Sequence, residues 1–291
     1  MIEDNQSWHI IEGDALRVLN ESYPEPTFQC CVTSPPYWSL RDYGLSAQIG
    51  AESSVDEYIN KLVLVFRAVR NSLKEDGTLW LNIGDSYTSG GRTWRDADKK
   101  NPARGMSYRP QTPEGLKPKD LIGVPWKLAF ALQADGWYLR SDIIWYKPNC
   151  QPESVKDRPT QSHEYLFLLT KSEKYLYNFE AIKEDTKDGR GRRNARSVWA
   201  INTEPYKEAH FAVFPPNLVK PCLLAGSNPN DLVLDPFAGS GTVGEVCMAT
   251  GRKFVGIELN SEYINLARKR IQSSMPSIPF LTHSLPLPES A

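Results

Sequence analysis

Residues 231–244 read Asp-Leu-Val-Leu-Asp-Pro-Phe-Ala-Gly-Ser-Gly-Thr-Val-Gly. The apolar run near the start predicts a buried strand, and the residues after the glycines predict a helix. Between the two, Gly239, Gly241 and Gly244 have the spacing G-x-G-x-x-G. Glycines at this spacing let the backbone of a strand-to-helix turn approach a nucleoside-type cofactor closely. The stretch therefore predicts an α/β fold with such a cofactor at the end of a strand.

A carboxylate follows the next predicted strand. This strand, Phe254-Val255-Gly256-Ile257, leads into Glu258. In nucleotide-binding α/β folds, an acidic residue at this position binds ribose hydroxyls. These two features by themselves would serve NAD as well, so an NAD-dependent oxidoreductase is one interpretation of the chain.

Strands and helices alternate in the first third of the chain. The predicted strands are Trp8–Ile11, Phe28–Val32 and Thr78–Ile83; one helix starts at Ala15, and the next runs from Val55 to Leu73, with Asp76-Gly77 as its stop signal. A continuous apolar run such as Phe28–Val32 is typical of a strand buried on both faces of a parallel sheet. The β-α-β-α-β order implies right-handed crossovers and ligands at the carboxyl ends of the strands.

The stretch Thr33-Ser34-Pro35-Pro36-Tyr37-Trp38 directly follows the second strand. Two consecutive prolines end strand pairing, because proline lacks an N–H and fixes its own φ. The rigid turn offers a hydroxyl, carbonyl oxygens and the flat face of Tyr37. An amino group conjugated to a ring is a poor nucleophile, and acceptors that pull on its N–H bonds localise its lone pair. The stretch fits a nucleobase amino group, although proline-rich turns without such a role are common.

Several further elements are predicted downstream. They are a helix over Pro125–Ala134, strands over Tyr138–Tyr146 and His163–Thr170, a returning hairpin strand at the sheet edge over Lys171–Asn178, and a last helix, Tyr263–Ile271, capped by Ser261. Asp14, after the first strand, is either a helix cap or a cofactor contact.

Composition limits the class of protein. With 291 residues, of which 40% are hydrophobic, the chain can bury one large core. Its net charge of −1 and pI of about 6.5 leave nucleic-acid binding to local patches. The five cysteines form no C-x-x-C pair and no Cys/His cluster, which predicts reduced cytoplasmic thiols and no metal site. No signal segment or long apolar run is present, so no membrane partner is expected.

Two segments are locally basic. Ser86–Pro125 carries eight Lys or Arg residues against four acids, with aromatic residues between them, a composition that suits a phosphate backbone. Lys187–Arg196 carries five basic residues and one acid, and its glycines predict a flexible arm. The candidate DNA contacts are Arg92, Arg95, Lys99, Lys100, Arg104, Arg109, Arg190, Arg192, Arg193 and Arg196. Solvated surface loops are the alternative for both segments.

The order of the two motifs resembles one enzyme family. Ser34-Pro35-Pro36-Tyr37 early and Asp235 to Thr242 late are similar to the motifs of the β-class DNA amino-methyltransferases, whose catalytic half precedes the S-adenosylmethionine half. The resemblance spans Ile10–Ile271 and includes His163-Glu164-Tyr165. It implies a Rossmann-like, S-adenosylmethionine-dependent methyltransferase fold with a circularly permuted motif order, and a mainly parallel sheet with an antiparallel edge hairpin.

The resemblance also implies an organisation and a set of site residues. A single methyltransferase domain over 1–291 would comprise a catalytic half (8–182), inserted DNA-contact loops (86–124 and 183–209), a cofactor half (210–273) and a flexible tail (274–291). The implied catalytic residues are Ser34, Pro35, Pro36 and Tyr37. The implied cofactor residues are Asp14, His210, Phe211, Asp235, Pro236, Phe237, Gly239, Ser240, Gly241, Thr242 and Glu258. Asp235 to Thr242 would wrap the methionine part, Glu258 would hold the ribose, and Asp14 would lie near the adenine amino group. A core histidine is the alternative for His210.

The implied reaction is a direct methyl transfer. The target base flips out of double-stranded DNA, stacks on Tyr37, and donates its amino hydrogens to Ser34 and the Pro35 carbonyl before its nitrogen attacks the sulfonium methyl in line. No covalent enzyme intermediate and no metal are required.

The first residue of the tetrapeptide bears on the target base. Within the family, serine at this position is commoner in enzymes for the N4 of cytosine, and Asp or Asn in enzymes for the N6 of adenine. We therefore expect a cytosine-N4 methyltransferase, with the N6-adenine enzyme as the alternative. A catalytically idle DNA-binding module is a third interpretation. A homodimer and a cognate restriction endonuclease are further candidate partners, in a prokaryotic or phage setting at the nucleoid.

Overall fold

The computed structural model describes residues 7–38, 48–88, 112, 115–186, 188–204 and 214–275. The strands are β1 (Trp8–Glu12), β2 (Phe28–Thr33), β3 (Leu73–Ile83), β4 (Tyr138–Tyr146), β5 (His163–Thr170), β6 (Glu184–Asp185), β7 (Arg192–Arg193), β8 (Val198–Ala200), β9 (Leu232–Asp235) and β10 (Lys253–Glu258). The helices are α1 (Ala15–Ser22), α2 (Val55–Ser72), α3 (Val124–Ala134), α4 (Pro216–Gly226), α5 (Thr242–Ala249) and α6 (Ser261–Ser274).

Eight strands form one sheet in the order β1-β10-β9-β2-β3-β5-β4-β8. All neighbouring pairs are parallel except the two that involve β5, which runs antiparallel to both β3 and β4. The first residues of β5 therefore lie at the edge where the other strands end. This mainly parallel α/β sheet is the one that the alternating strands and helices predict.

Helices cover both faces of the sheet. Apolar side chains of α1, α2 and α3 pack on one face, and those of α4, α5 and α6 pack on the other. In β3, Leu79 and Leu81 face the first layer, whereas Trp80 between them faces the second. A strand that is buried on both faces reads as a continuous apolar run, which is why the sequence identifies the central strands well.

The end of α2 differs from the prediction. The helix begins after Ser54, whose side chain accepts a hydrogen bond from the backbone N–H of Glu57. It ends at Ser72, and Leu73 is already extended and pairs with Phe28. Asp76-Gly77 is therefore not the helix stop, because β3 includes it and continues to Ile83.

The predicted returning strand over Lys171–Asn178 is wrong. The Ser172 hydroxyl lies within hydrogen-bonding distance of the carbonyl of Lys174, two residues on, and of that of Glu75 in β3, and the segment forms bends rather than a strand. The antiparallel pairing belongs instead to β5, which lies inside the sheet between β3 and β4.

Three smaller features were also not predicted. The edge strand is β8, which lies within the predicted loop 183–209 and pairs in parallel with β4. Helix α4 is new, and it contains Pro221. The side chain of Asn260, rather than that of Ser261, caps α6 by accepting from the N–H of Glu262 at 2.9 Å. Among the described helices, none has the length and apolar character of a bilayer-spanning segment.

Candidate active site

The carboxyl edge of the sheet brings the two sequence motifs together. Strands β2 and β9 are neighbours, with Cys31 paired to Leu234. At the end of β2, the hydroxyl of Thr33 donates to Asp235 Oδ1 at 2.6 Å. The proline stretch and the glycine-rich loop, far apart in sequence, therefore leave the sheet side by side.

The backbone of residues 34–37, here called the shelf, is held from α2. Tyr58 donates from its hydroxyl to the carbonyl of Pro36 at 2.8 Å. After the shelf, Trp38 Nε1 donates to the carbonyl of Glu52 at 3.1 Å. The two prolines have fixed φ angles, and Tyr58 holds the second carbonyl, so the turn is constrained from both the chain and α2.

Two acceptors of the shelf have no strong hydrogen bond within the described part of the chain. Among the described residues, none donates to the Pro35 carbonyl. The partner of Ser34 Oγ is the Tyr37 hydroxyl at 3.5 Å, too long for a strong hydrogen bond. The Pro36 carbonyl is already bonded to Tyr58. The bond from Tyr58 therefore fixes the Pro36 carbonyl, and with it the shape of the shelf.

The hydroxyl of Tyr37 is bonded within the protein. It donates to Glu164 Oε2 at 2.8 Å. Burial, and secondly the charge of Glu164, raise the pKa of Tyr37, so the phenol keeps its proton. The other oxygen of Glu164 forms an ion pair with Lys147. The sequence identified Glu164 only as a landmark, because its approach to Tyr37 depends on the reversed direction of β5.

Asp235, at the end of β9, is buried. Its Oδ1 accepts from the Thr33 hydroxyl and, at 3.0 Å, from the N–H of Phe237. Burial raises the pKa of Asp235 to about 7; the two hydrogen bonds offset part of this rise, and the charge of Glu258 adds to it. A buried carboxyl of this kind gains from a cationic group placed beside it.

Glu258, at the end of β10, holds the glycine-rich loop. Its Oε2 accepts from the N–H of Gly239 at 2.8 Å, and its Oε1 accepts from the N–H of Asn260 at 2.9 Å. Burial raises the pKa of this carboxyl too. Each oxygen keeps a second lone pair for a ribose hydroxyl. The two acids thus fit S-adenosylmethionine, which carries positive charge and a ribose.

The three glycines of the motif have different surroundings. Gly239 has a φ of 51°, and a Cβ added there would meet no atom closer than 3.9 Å, so a ligand can approach its backbone. A Cβ on Gly241 would lie 2.9 Å from Ala267, and one on Gly244 would lie 2.7 Å from Phe254. The first glycine thus suits a ligand, whereas the other two permit close packing of α6 and β10.

The hydroxyls of the loop are bonded to a buried arginine. Arg270 of α6 donates from Nη1 to Ser240 Oγ at 3.2 Å and to Thr242 Oγ1 at 2.8 Å, and from Nε to Glu245 at 2.6 Å. Only 8% of its side chain is exposed. The hydroxyls of Ser240 and Thr242 therefore fix the loop on α6. The sequence missed Arg270 because a basic residue in an amphipathic helix indicates a solvated face.

The remaining predicted cofactor residues have structural partners or lie outside the described residues. Asp14 Oδ1 accepts from the N–H of Arg17 at 2.9 Å, which confirms the capping interpretation. Pro236 is buried, and the ring of Phe237 packs against Phe66 with centroids 6.3 Å apart. His210 and Phe211 lie outside the described residues.

The predicted flexible arm is a short hairpin. Strands β6 and β7 pair antiparallel, and Arg192, Arg193 and Arg196 form ion pairs with the acids of β6. The prediction of a flexible arm was wrong because it considered residues 187–196 alone. Glu184 and Asp185, just upstream, pair with the arginines and hold the segment in a hairpin. Six predicted DNA contacts lie outside the described residues: Arg92, Arg95, Lys99, Lys100, Arg104 and Arg109. Within the described ranges, no group of His, Cys, Asp and Glu side chains has the arrangement of a metal site.

Known proteins similar to this chain are DNA methyltransferases. The chain is 64% identical to the type II methyltransferase M.SmaI of Serratia marcescens over 93% of each chain. It is 62% identical to M.Cfr9I of Citrobacter freundii over 90% of this chain and 87% of that one.

Solved structures agree on the fold. The PvuII DNA methyltransferase (cytosine-N4-specific) matches with a TM-score of 0.68 and 21% identity over 91% of this chain and 86% of that one. A second match is a putative DNA modification methylase from Thermus thermophilus, solved with S-adenosyl-L-methionine. Its TM-score is 0.64 and its identity is 25%, over 93% of this chain and 95% of that one.

A family model described as a DNA methylase of the N6/N4 type matches residues 28–269. The oxidoreductase interpretation of the glycine motif is therefore wrong, and the cofactor is S-adenosylmethionine. The chain belongs to the N6/N4 DNA methylase family and is an S-adenosylmethionine-dependent DNA methyltransferase.

Proposed function

We propose that this enzyme methylates the exocyclic N4 amino group of cytosine in double-stranded DNA. The observation that carries the proposal is the junction of the two motifs. The shelf begins one residue after Thr33, whose hydroxyl bonds Asp235 at 2.6 Å. An amino group bound by Ser34 Oγ and the Pro35 carbonyl would therefore lie next to the glycine-rich loop.

The shelf would activate the amino group by accepting its hydrogens. The lone pair of the cytosine amino nitrogen is delocalised into the ring, and two acceptors on its N–H bonds return electron density to the nitrogen. S-adenosylmethionine supplies an electrophilic methyl group on a sulfonium. Tyr37 would stack on the flipped base and orient its nitrogen, so positioning contributes much of the rate.

The acids at the ends of β9 and β10 would hold the cofactor. Asp235 is buried beside the loop and favours a cationic group, and Glu258 has lone pairs left for ribose hydroxyls. Gly239 would let the cofactor approach the backbone. By the family resemblance, His210 and Phe211 would complete the pocket, and Asp14 would lie near the adenine.

DNA binding would come from the basic segments inserted in a single domain. Ser86–Pro125 and the β6–β7 hairpin carry the candidate phosphate contacts. We infer a bacterial cytoplasmic location because the relatives are bacterial type II methyltransferases. We also propose two protein partners: a second copy of this chain, in a homodimer, and a cognate restriction endonuclease.

Serine at the first position of the shelf favours the N4 of cytosine as the methylated atom. The N6 of adenine is the second candidate, and its methylation would follow the same mechanism. The test is to incubate the enzyme with DNA and S-adenosylmethionine carrying a labelled methyl group, digest the DNA to nucleosides, and identify the labelled nucleoside by mass spectrometry. Labelled N4-methylcytosine is expected. Labelled N6-methyladenine would contradict the assignment of cytosine as the target base. DNA binding without any labelled nucleoside would favour the interpretation as a catalytically idle DNA-binding module.

Ser34→Ala tests the role of the shelf. We expect turnover to fall by about 100-fold or more, since an acceptor of the reacting group is lost, while the cofactor dissociation constant stays unchanged. Ser273→Ala, at the exposed end of α6, is the matched control. Turnover at the wild-type level in Ser34→Ala would contradict the assignment of Ser34.

A further inference from the structure

A carboxylate and a lysine lie behind the Tyr37 ring. Glu164 Oε2 accepts from the Tyr37 hydroxyl at 2.8 Å and from Asn82 Nδ2 at 3.2 Å, and Oε1 is paired with Lys147. The Nζ of Lys147 also lies 4.3 Å from the centre of the Trp145 ring. Glu164 is the second residue of β5 and Lys147 follows β4, so both lie at the sheet edge that the shelf leaves.

This ion pair is largely shielded from water. Only 17% of the Lys147 side chain and 16% of the Glu164 side chain are exposed. Removing two charges from water costs about as much as their attraction returns, so such pairs are weak contributors to folding stability. Their benefit here is geometric: the pair fixes a carboxylate oxygen at the Tyr37 hydroxyl.

Gly84 limits the position of the Tyr37 ring, independently of the hydrogen bond to Glu164. A Cβ added at Gly84 would lie 2.9 Å from Tyr37 Cε2 and 3.2 Å from Glu164 Cδ. Side chains do not tolerate such approaches, so the ring occupies space that only a glycine leaves open. The ring is thus packed against Gly84 while its hydroxyl is bonded to Glu164.

We propose that Glu164, held by Lys147, is a positioning residue that fixes the Tyr37 ring as the stacking surface for the target base. The inference rests on the proposed function of the shelf. The Tyr37 hydroxyl lies 3.5 Å from Ser34 Oγ, so the bond to Glu164 holds the ring beside an acceptor of the shelf. A ring that tilts would move the amino nitrogen out of line with the methyl group, and small misplacements of reacting groups cost much of the rate.

A double-mutant cycle tests this role. Tyr37→Phe keeps the ring and removes the donor, and Glu164→Leu removes the acceptor. Each single variant is expected to lower kcat by about 10- to 100-fold, with little change in the cofactor dissociation constant. Because both changes remove the same hydrogen bond, the double variant should be no slower than the slower single variant. Losses that multiply, or a Glu164→Leu enzyme with wild-type kcat, would overturn the inference.

A second double variant separates a role of the ion pair in positioning Tyr37 from a role in folding stability. Lys147→Met combined with Glu164→Leu replaces the ion pair by apolar groups, so we expect an unchanged or higher melting temperature together with a reduced kcat. A fall in melting temperature that accounts for the lost activity would make the pair merely structural. Glu75→Gln is the matched control, since Glu75 of β3 pairs with Lys171, which follows β5, at the opposite edge of the sheet.

The wild-type product keeps the two proposals apart. If the labelled nucleoside is N6-methyladenine, the cytosine assignment fails. The coupling between Tyr37 and Glu164 is still measured on adenine. The positioning role fails there on the same outcomes: losses that multiply, a Glu164→Leu enzyme with wild-type kcat, or a fall in melting temperature that accounts for the lost activity.

Discussion

Asp235 combines burial with a place beside the glycine-rich loop. Its pKa is raised by burial to about 7, above the ordinary value of 3.8. A cationic cofactor binds the ionised form, so at lower pH the enzyme must first lose a proton from this carboxyl. We expect the affinity for S-adenosylmethionine to rise about tenfold from pH 6 to pH 8 and to level off above that. Isothermal titration calorimetry at several pH values measures this.

The same titration of Asp235→Asn is the control. The asparagine cannot ionise, so this variant should bind weakly and lose the Asp235 contribution to the pH dependence. Any slope that it retains reports the ionisation of the cofactor itself or of another group. An identical slope in both proteins would contradict the assignment to Asp235.

At the scale of elements, the β6–β7 hairpin changes what can be expected of its arginines. Arg193 and Arg196 are paired with Glu184, whereas 87% of the Arg190 side chain is exposed and its nearest acidic oxygen is 3.9 Å away. Arg190→Gln should therefore weaken DNA binding without disturbing the hairpin. The slope of log affinity against log salt concentration should decrease by about one.

Fluorescence anisotropy of labelled DNA over a range of salt concentrations tests this expectation. Arg140→Gln is a suitable control, because Arg140 lies near the start of β4, at the edge of the sheet opposite the site. If both variants bind DNA with the wild-type salt slope, Arg190 does not contact phosphate.

Some elements follow from the sequence alone, and others do not. Central strands such as β2 and β9 are continuous apolar runs, so their existence and the loops after them follow from the residues alone. The direction of β5 does not, because Lys171–Asn178 has strand-like composition but forms bends, so the antiparallel partner of β5 is not the segment that follows it. Glu164 was missed as a site residue for the same reason.

On the scale of the whole molecule, the permuted order of the two halves matters little to the site. Strands β2 (Phe28–Thr33) and β9 (Leu232–Asp235) are far apart in sequence, yet they are adjacent in the sheet. What the sequence alone cannot supply is this adjacency. The adjacency brings the Thr33 hydroxyl to Asp235 and makes the shelf and the glycine-rich loop leave the sheet side by side.

Thr33→Val tests this connection between the halves. Folding raises the pKa of Asp235, so its protonated form favours the folded state at low pH, and this contribution is lost as pH rises through about 7. The Thr33 hydroxyl stabilises the ionised form and limits that loss. We therefore expect Thr33→Val to lower the free energy of unfolding by about 1–3 kcal/mol at pH 8.5, and by less at pH 5.5.

Urea unfolding at the two pH values measures the difference. Thr27→Val is the control, because the Thr27 hydroxyl donates to the backbone carbonyl of Glu25 at 2.8 Å, and its loss should cost the same at both pH values. An equal effect of Thr33→Val at both pH values would mean that the bond is insensitive to the charge of Asp235. A larger effect at pH 8.5 would place the ionisation of Asp235 at the junction of the two halves, where we propose that the cofactor and the target base meet.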